Sequence, residues 1–337
     1  MKKFNWLFSM ILVLCIILVF TTSGMAKVVI KYAHMHNPGI AYYDAAAFFA
    51  EKVEELSGGE IVCEVYPSGQ LGGDREIVES IKMGNLHMNH PNFATLSLLY
   101  PKISIYSLPF LFKDFEHAKR VFTSEIGEKL ASEFEEATGL ILTDALYAEP
   151  PRGLYTDIGP IYEPEQMEGK KIRIMESEIY RDMFGELGVG ALPTPVPYTE
   201  LYTALATNLV EFADPPIDTY YSGKFYEVAK YYSFSDHEIS VHPITIGSKW
   251  FNGLSKEQQN IILEALKQTS EFQVNLSESQ QQGIIEWLTC NGVRINFVNK
   301  CAFKEAMTPV YDKWTEKLGV DFATEFIENA NKLGEVE

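Results

Sequence analysis

The sequence has few cysteines. It contains 4 cysteines in 337 residues, and Cys15 lies in an apolar N-terminal run. The remaining three, Cys63, Cys290 and Cys301, are an odd number, which is not typical of the disulfide framework of a small exported protein. One bridge between two of them stays open, but buried free thiols are the favoured interpretation.

The sequence also has little positive charge. It carries 28 Lys and Arg against 46 Asp and Glu, a net charge of −18. Loss of Lys2 and Lys3 with a cleaved leader would bring the net charge to −20. This balance argues against nucleic acid and anionic membranes as partners. An anionic ligand would therefore require a local cationic pocket.

Only one long apolar run is present, and it lies at the N-terminus. Lys2 and Lys3 precede "WLFSMILVLCIILVF", and small residues ending in Ala26 follow it. This pattern predicts a signal peptide over residues 1–26, cleaved near Ala26, rather than a transmembrane anchor. We therefore expect an exported, periplasmic mature protein that starts near Lys27.

Motifs for common catalytic and metal sites are missing. Neither a phosphate-binding glycine loop nor a G-x-S-x-G nucleophile turn occurs. His237 and His242 are five residues apart, which does not fit an H-E-x-x-H zinc helix. His34 and His36 would share a strand face and could bind a metal, but no carboxylate or cysteine partner lies nearby in sequence. We therefore expect no catalytic residue, no metal site and no cofactor, and we interpret these histidines as loop-lining or hydrogen-bonding residues.

Strand-like and helix-like segments alternate along the rest of the chain. "VVIKYAH" (28–34) and "IVCEVYP" (61–67) are typical of strands, and "AYYDAAAFFAEKVEEL" (41–56) is an amphipathic helix. Asp74 is a plausible N-cap of the next helix. This order predicts an α/β fold with largely parallel sheets, with a boundary near 148–153 at "AEPPRG".

One predicted helix is unusually long. Residues 255–282 contain neither glycine nor proline, and Ser255 with Gln258 resembles an N-terminal cap. Such a helix could lie across two lobes and brace them. An exported two-lobed α/β protein without catalytic motifs suggests a solute-binding protein, whose ligand lies between the lobes.

The short strand "KKIRI" carries an arginine at position 173. Ile172 and Ile174 would face one side, and Lys171 and Arg173 the other. From the strand alone, Arg173 is most simply an exposed residue or a member of a surface ion pair.

Several segments in order resemble one known family. They are "FAEKVEELSGGEIVCEVYPSGQLGGDREIVESIKMGNLHM" (49–88), "YPKISIYSLPFLFKDFEHAKRVF" (100–122), "GKKIRI", "LGVGALPTPVPYTELYTALATNLVE" (187–211), "KFYEVAKYYSFSDH" (224–237) and "LSKEQQNIILEA" (254–265). Together they resemble the extracytoplasmic solute-binding proteins of tripartite ATP-independent periplasmic (TRAP) transporters. The resemblance covers nearly all of the mature chain.

The resemblance implies a set of ligand-binding residues. Arg173 would face the cleft and pair with a ligand carboxylate, which a planar guanidinium matches with two hydrogen bonds. The other implied residues are Arg152, Asn92, Tyr198, Asp214 and Glu176, and Tyr147, Tyr220 and Tyr221 are further tyrosines expected around the cleft. Two positions depart from the family pattern. Pro215 replaces a residue that is polar in some members, and Glu176 would either receive ligand hydroxyls or an amine, or anchor Arg173.

The resemblance further implies the fold and the function. Two α/β lobes would close around a small organic-acid anion of the C4-dicarboxylate, sugar-acid or 2-oxo-acid type and deliver it to ion-gradient-driven permease subunits in the membrane. We expect one lobe over 27–149 and 241–280, the other over 150–240 and 281–337, and a monomer that is not an enzyme. The alternatives are a binding protein for a sensor kinase or another importer, and an exported enzyme.

Overall fold

The structure, a computed structural model, describes residues 27–335. The predicted signal peptide over 1–26 lies outside the described residues. Within them the strands are β1 Val28–Ala33, β2 Ile61–Tyr66, β3 Met88–Asn89, β4 Leu140–Ala148, β5 Leu154–Thr156, β6 Lys171–Ile174, β7 Leu192–Pro195, β8 Phe212–Ala213, β9 Tyr231–Phe234, β10 Val241–Gly247 and β11 Arg294–Phe297.

The helices alternate with these strands. They are α1 Ala41–Leu56, α2 Asp74–Lys82, α3 Phe93–Leu96, α4 Phe115–Phe122, α5 Glu125–Thr138, α6 Glu178–Phe184, α7 Leu201–Ala206, α8 Ile217–Ser222, α9 Ser248–Asn252, α10 Lys256–Cys290, α11 Lys300–Leu318 and α12 Val320–Gly334. Over residues 27–335, none of these helices combines the length and the apolar character that crossing a bilayer requires.

The strands form two sheets, one in each lobe. The first sheet has the order β2-β1-β3-β10-β4, and the second has the order β11-β9-β5-β8-β6-β7. In the first sheet β10 is antiparallel to both of its neighbours, and in the second β5 is antiparallel to both of its neighbours. The sheets are therefore mixed rather than largely parallel as the sequence predicts, because β5 and β10 each follow a place where the chain crosses from one lobe to the other. The predicted two-lobed α/β fold is confirmed.

The first crossing segment, residues 149–153 between β4 and β5, and the second, residues 235–240 between β9 and β10, are bonded to each other at their ends and along their length. Ala148 at the end of β4 pairs with Val241 at the start of β10. Further along, the amide of Arg152 donates to the carbonyl of Glu238 at 3.0 Å. The backbone between the lobes is thus a pair of neighbouring chains, and Arg152 lies on one of them.

The start of α2 differs by one residue from the sequence-based prediction. Gly73, in an extended conformation, is the N-cap, and Asp74 is the first helical residue. The prediction that Asp74 caps the helix is therefore wrong. Its carboxylate is left without a role in the cap.

The long helix α10 is continuous over 35 residues and includes the predicted stretch up to Gln282, but it also continues through Gly283 to Cys290. The Ser255 hydroxyl accepts from the Gln258 amide, and the Gln258 side chain accepts from the Ser255 amide. Ile262 and Leu266 pack into the core of the first lobe, and Ile284 and Leu288 into the core of the second. The helix therefore contacts both lobes.

Helices α11 and α12 form a C-terminal hairpin that also contacts both lobes. The indole of the buried Trp314 donates to Asp182 on α6 at 2.9 Å. A ring nitrogen of His117 on α4 lies 2.7 Å from the carbonyl of Ala330 on α12. The hairpin thus connects a helix that follows β6 with a helix that precedes β4.

Gln273 joins α10 to the first crossing segment. It is fully buried, and its side-chain amide accepts from the Ala148 amide and donates to the Ala148 carbonyl, both at 2.8 Å. The adjacent Ser270 hydroxyl donates to the Leu146 carbonyl at 2.6 Å. One side chain therefore satisfies both backbone groups of Ala148, where the edge strand β4 has no further strand to pair with.

We predict that Gln273→Ala lowers the free energy of unfolding by about 2–4 kcal/mol, because it leaves a buried N–H and a buried C=O unpaired. Urea unfolding measures the change. Gln282→Ala is the control, since Gln282 is exposed on the same helix and bonds only Glu286; it should change stability by less than about 0.5 kcal/mol. Equal effects of the two substitutions would contradict the role of Gln273.

Candidate functional site

A cavity of about 440 Å³ lies between the two lobes. Its wall includes residues that directly follow β1, β3, β6, β7 and β8, and residues of the first crossing segment. Ligands of open α/β sheets bind outside the carboxyl ends of the strands, where this cavity lies. The lining residues are Met35, His36, Gly73, Asp74, Arg75, Glu76, His90, Asn92, Thr95, Leu98, Glu149, Arg152, Arg173, Met175, Glu176, Pro195, Val196, Pro197, Tyr198, Pro215, Pro216, Thr219 and His242.

Arg173 lines the cavity and is not an exposed strand residue. Its side chain is 4% exposed, and its Nε donates to the Val196 carbonyl at 3.0 Å. In the described part of the chain no carboxylate lies within 4.0 Å of it, and its two Nη groups have no hydrogen-bond acceptor. Burial lowers the pKa of Arg173, and the nearby Asp214 partly offsets this effect. The cavity therefore contains a buried guanidinium whose two Nη groups are free to donate hydrogen bonds.

Arg152 differs from Arg173 in being neutralised by the protein. Its Nε donates to Asp214 Oδ2 at 3.0 Å, and its Nη2 lies 2.9 Å from the same oxygen, off the line of a hydrogen bond. Glu149 Oε2 is 4.0 Å from Nη1. Burial would lower the pKa of Arg152, but Asp214 and the surrounding acids raise it. Burial would likewise raise the pKa of Asp214, but Arg152 and His237 lower it to about 2. Both partners are therefore charged at neutral pH.

Asn92 and Tyr198 both line the cavity. Asn92 Oδ1 accepts from the Ala94 amide at 2.7 Å and caps the short helix α3. The ring of Tyr198 packs edge-on against Phe225, with ring centroids 5.8 Å apart. Asn92 comes from the first lobe and Tyr198 from the second, so these two residues approach the cavity from opposite sides.

Glu176 lines the mouth of the cavity and pairs with Arg75. The Arg75 guanidinium lies 3.0 and 3.2 Å from the two oxygens of Glu176. Both side chains are about 60% exposed, at 59% and 60%. Arg75 is on α2 and Glu176 follows β6, so this pair connects the two lobes at the surface. The expectation that Glu176 anchors Arg173 is wrong, because its carboxylate pairs with Arg75 instead.

Four of the residues expected around the cleft do not line the cavity: Asp214, Tyr147, Tyr220 and Tyr221. Asp214 lies behind Arg152 and holds it in place. Tyr147 is fully buried, and its hydroxyl lies 3.5 Å from that of Tyr32. Among the other tyrosines, Tyr220 is also fully buried, and Tyr221 packs against Trp287.

Three carboxylates that sequence reasoning missed line the cavity: Asp74, Glu76 and Glu149. Asp74 has no hydrogen-bond or ion-pair partner among residues 27–335, and burial raises its pKa to about 6. Glu149 lies 3.3 Å from His242. Burial would lower the pKa of His242, but Glu149 raises it. Glu149 is three residues before Arg152, and that spacing is the one signal by which the sequence could have indicated it.

A group of histidines also lines or underlies the cavity. Four of the seven histidines in the sequence are found here: His34, His36, His90 and His242. Ring nitrogens of His34, His36 and His90 lie within 4.8 Å of one another. Burial lowers the pKa of His34 to about 4, and the pKa values of His36 and His90 well below their usual range. The sequence analysis identified His34 and His36 as possible metal ligands but found no third ligand, because His90 follows His36 by 54 residues.

Comparison with known proteins agrees with this architecture. Residues 32–318 match the family model described as bacterial extracellular solute-binding protein, family 7. The sialic acid-binding periplasmic protein SiaP of Vibrio cholerae is 28% identical over 307 residues, which cover 90% of this chain and 94% of that protein.

Two solved structures show the same fold. A TRAP periplasmic solute-binding protein of Roseobacter denitrificans with bound β-D-glucuronate has a TM-score of 0.85 and 30% identity, covering 92% of this chain and 100% of that one. Another from Sulfurospirillum deleyianum with bound succinate has a TM-score of 0.83 and 27% identity, covering 90% and 99%. The chain therefore belongs to bacterial extracellular solute-binding protein family 7, the solute-binding proteins of TRAP transporters, and is a binding protein rather than an enzyme.

Proposed function

We propose that the protein captures a small organic-acid anion in the cavity between its lobes, with Arg173 paired to the ligand carboxylate. The observation that carries this proposal is the buried guanidinium of Arg173, which has no protein carboxylate within 4.0 Å among the described residues. A buried charge without a partner is costly, so a carboxylate that enters the cavity gains from pairing with it. Two parallel N–H···O bonds fit the two spare Nη groups.

The distribution of charge favours one kind of organic acid. Arg152 is already paired with Asp214, and Arg75 with Glu176. Among the described arginines of the cavity wall, Arg173 is therefore the one whose charge no protein carboxylate within 4.0 Å matches. Asp74 and Glu149, which line the same cavity, would repel a second carboxylate but accept hydrogen bonds from hydroxyl groups. Among C4-dicarboxylates, sugar acids and 2-oxo acids, a hydroxylated monocarboxylate such as a sugar acid is therefore the favoured ligand.

The remaining parts of the proposal concern the cell. The protein would be exported with cleavage near Ala26 and would deliver its ligand to the membrane permease subunits of a TRAP transporter. It would act as a monomer without nucleic-acid partners, in keeping with its net charge of −18. The lobes would divide as 27–149 with 241–280 and 150–240 with 281–337. The first sheet draws its strands from 28–148 and 241–247, and the second from 154–234 and 294–297, which supports this division of the strands.

A thermal-shift screen of organic acids tests the proposed ligand class. A ligand at 100 times its Kd should stabilise the protein by about 2.7 kcal/mol. We expect D-glucuronate and related sugar acids to stabilise it more than succinate, with a 1:1 ratio by calorimetry. Stronger binding of succinate would contradict the charge argument. A new product by mass spectrometry after incubation would contradict binding without turnover.

Arg173→Ala should weaken binding of the best acid from this screen by about 2–5 kcal/mol, which is roughly 30- to 5,000-fold in Kd. The substitution removes a desolvated partner of the carboxylate. Arg173→Lys should recover only part of the loss, since an ammonium cannot form the planar pair. Calorimetry measures both, and the melting temperature of the ligand-free variants controls for folding. Unchanged affinity in Arg173→Ala would rule out the proposed pairing.

Asp214→Asn should lower the free energy of unfolding by about 3–5 kcal/mol, because it leaves the buried Arg152 without its partner. Glu176→Gln is the matched control, since it removes an exposed ion pair and should cost less than about 1 kcal/mol. Urea unfolding of the two variants measures the difference. A cost for Asp214→Asn as small as that of the control would show that the buried pair does not stabilise the fold.

Arg152→Ala separates the two arginines in binding. If Arg152 contacts a second carboxylate, its removal should weaken only dicarboxylates; if both arginines hold one carboxylate, every acid should bind more weakly. Because Asp214 neutralises Arg152, we expect a smaller loss for monocarboxylates than Arg173→Ala causes. Calorimetry with D-glucuronate and succinate provides this comparison, and an equal or larger loss with D-glucuronate would contradict the assignment.

A further inference from the structure

The three histidines His34, His36 and His90 form a compact group beneath the cavity, here named the histidine triad. The proposed capture of a carboxylate by Arg173 does not use them. His34 and His36 follow β1, and His90 follows the neighbouring strand β3. Because β1 and β3 are adjacent and parallel, these residues meet at the same edge of the first sheet. Each presents one ring nitrogen, and the three nitrogens lie within 4.8 Å of one another.

The spacing of the triad is close to that of a metal site. His36 Nδ1 and His90 Nε2 are 3.0 Å apart. Two imidazoles bound to a tetrahedral ion at 2.0–2.1 Å hold their nitrogens about 3.3 Å apart. The pair therefore needs to open by only about 0.3 Å, exchanging one hydrogen bond for two bonds to the ion.

The third member supplies an unused nitrogen. His34 is 2% exposed, and its Nε2 has no hydrogen-bond partner within residues 27–335. A buried ring nitrogen without a partner is costly, and a bound ion would relieve that cost. Coordination through Nε2 moves the ring proton to Nδ1, which now accepts from the His36 amide at 3.2 Å. That contact is at the long limit for such bonds, so little is lost when it opens.

A neighbouring tyrosine supports the required tautomer of His90. The Tyr32 hydroxyl lies 2.6 Å from His90 Nδ1. When the hydroxyl oxygen accepts a hydrogen bond from His90 Nδ1–H, Nε2 is left with a free lone pair on the side of His36. Metal-binding histidines are commonly oriented by such a partner on the second ring nitrogen.

The fourth histidine is not part of this donor set. His242 Nδ1 lies 3.1 Å from the His90 carbonyl, and its Nε2 lies 3.3 Å from Glu149. Both of its nitrogens are thus occupied. His36 and His90 line the cavity, together with Asp74 and Glu149, whose negative charges favour a cation.

We propose that the histidine triad binds one divalent transition-metal ion, of the Zn²⁺, Co²⁺ or Ni²⁺ class, with its fourth coordination position open to the cavity. Imidazole donors without thiolates suit these ions and are poor ligands for Mg²⁺ or Ca²⁺. This site stands apart from carboxylate capture by Arg173, so either one can hold if the other fails.

The direct test uses metal alone, without any organic acid, and protein that carries no histidine tag. We expect Co²⁺ to give the visible absorption of a tetrahedral site, saturating at one ion per chain. X-ray absorption of the Zn²⁺ form should show three nitrogen neighbours at about 2.0 Å. Absence of saturable binding of Zn²⁺, Co²⁺ and Ni²⁺ would overturn the proposal.

Substitutions assign the site. Loss of a residue that hydrogen-bonds to a coordinating residue and orients it weakens metal binding by roughly 10- to 100-fold, and loss of a coordinating histidine should weaken Co²⁺ binding by more than this. We expect this of His36→Ala and of His90→Ala. His87→Asn is the control, because His87 lies outside the triad, stacks on Trp250 and accepts from the Lys31 amide, a bond that Asn can keep. Unchanged metal binding in both triad variants, or an equal loss in the control, would show that the ion binds elsewhere.

The folding of each variant is checked by its far-UV circular dichroism and by its melting temperature without metal. Tyr32→Phe provides an independent readout if a triad variant fails to fold. It keeps the ring and removes only the hydroxyl, and it should weaken Co²⁺ binding by about 10- to 100-fold. Full affinity for Co²⁺ in Tyr32→Phe would contradict the proposed orientation of His90.

Discussion

The buried ion pair between Arg152 and Asp214 is the interaction on which the geometry of the cavity depends. Arg152 lies on the first crossing segment, and Asp214 directly follows β8 of the second sheet. The pair thus fixes the backbone of the first crossing segment to the second sheet, at the end of β8. Both side chains are buried, so loss of either partner would leave the other as an unpaired buried charge. Glu149 lies on the same segment of backbone as Arg152, so the ion pair also holds Glu149 in place.

The same pair explains why two nearby arginines act differently. A guanidinium already matched by a carboxylate has a structural role. Arg173, whose one side-chain hydrogen bond within residues 27–335 goes to the Val196 carbonyl, keeps its charge available. Arg173 lies on the buried β6 strand, where β7 and β8 flank it. Its position is therefore set by backbone hydrogen bonds before any ligand arrives. Pre-organised donors of this kind lose little entropy on binding, which raises affinity without new contacts.

The sequence predicted local features well and non-local ones poorly. The helix up to Gln282 follows from its cap at Ser255 and from its lack of glycine and proline, whereas its continuation through Gly283 does not. The position of Arg173 in the cavity came from the family resemblance, since the strand pattern alone favoured an exposed residue. His90 could not be connected with His36 because their contact depends on the pairing of β1 with β3. The ion pair between Glu176 and Arg75 likewise depends on how the two lobes face each other, and no local sequence pattern predicts that arrangement.

The exposed pair between Arg75 and Glu176 has a consequence for how long a captured molecule stays inside. It joins the lobes at the mouth of the cavity, where water and ions reach both side chains. Such a contact contributes at most about 1 kcal/mol and is screened over about 8 Å at physiological ionic strength. Because this bridge must break when the lobes separate, the salt content of the surrounding fluid sets part of the opening rate. The residence time of the bound ligand thereby depends on the ionic strength outside the protein. The main part of its binding free energy comes instead from the buried residues of the cavity.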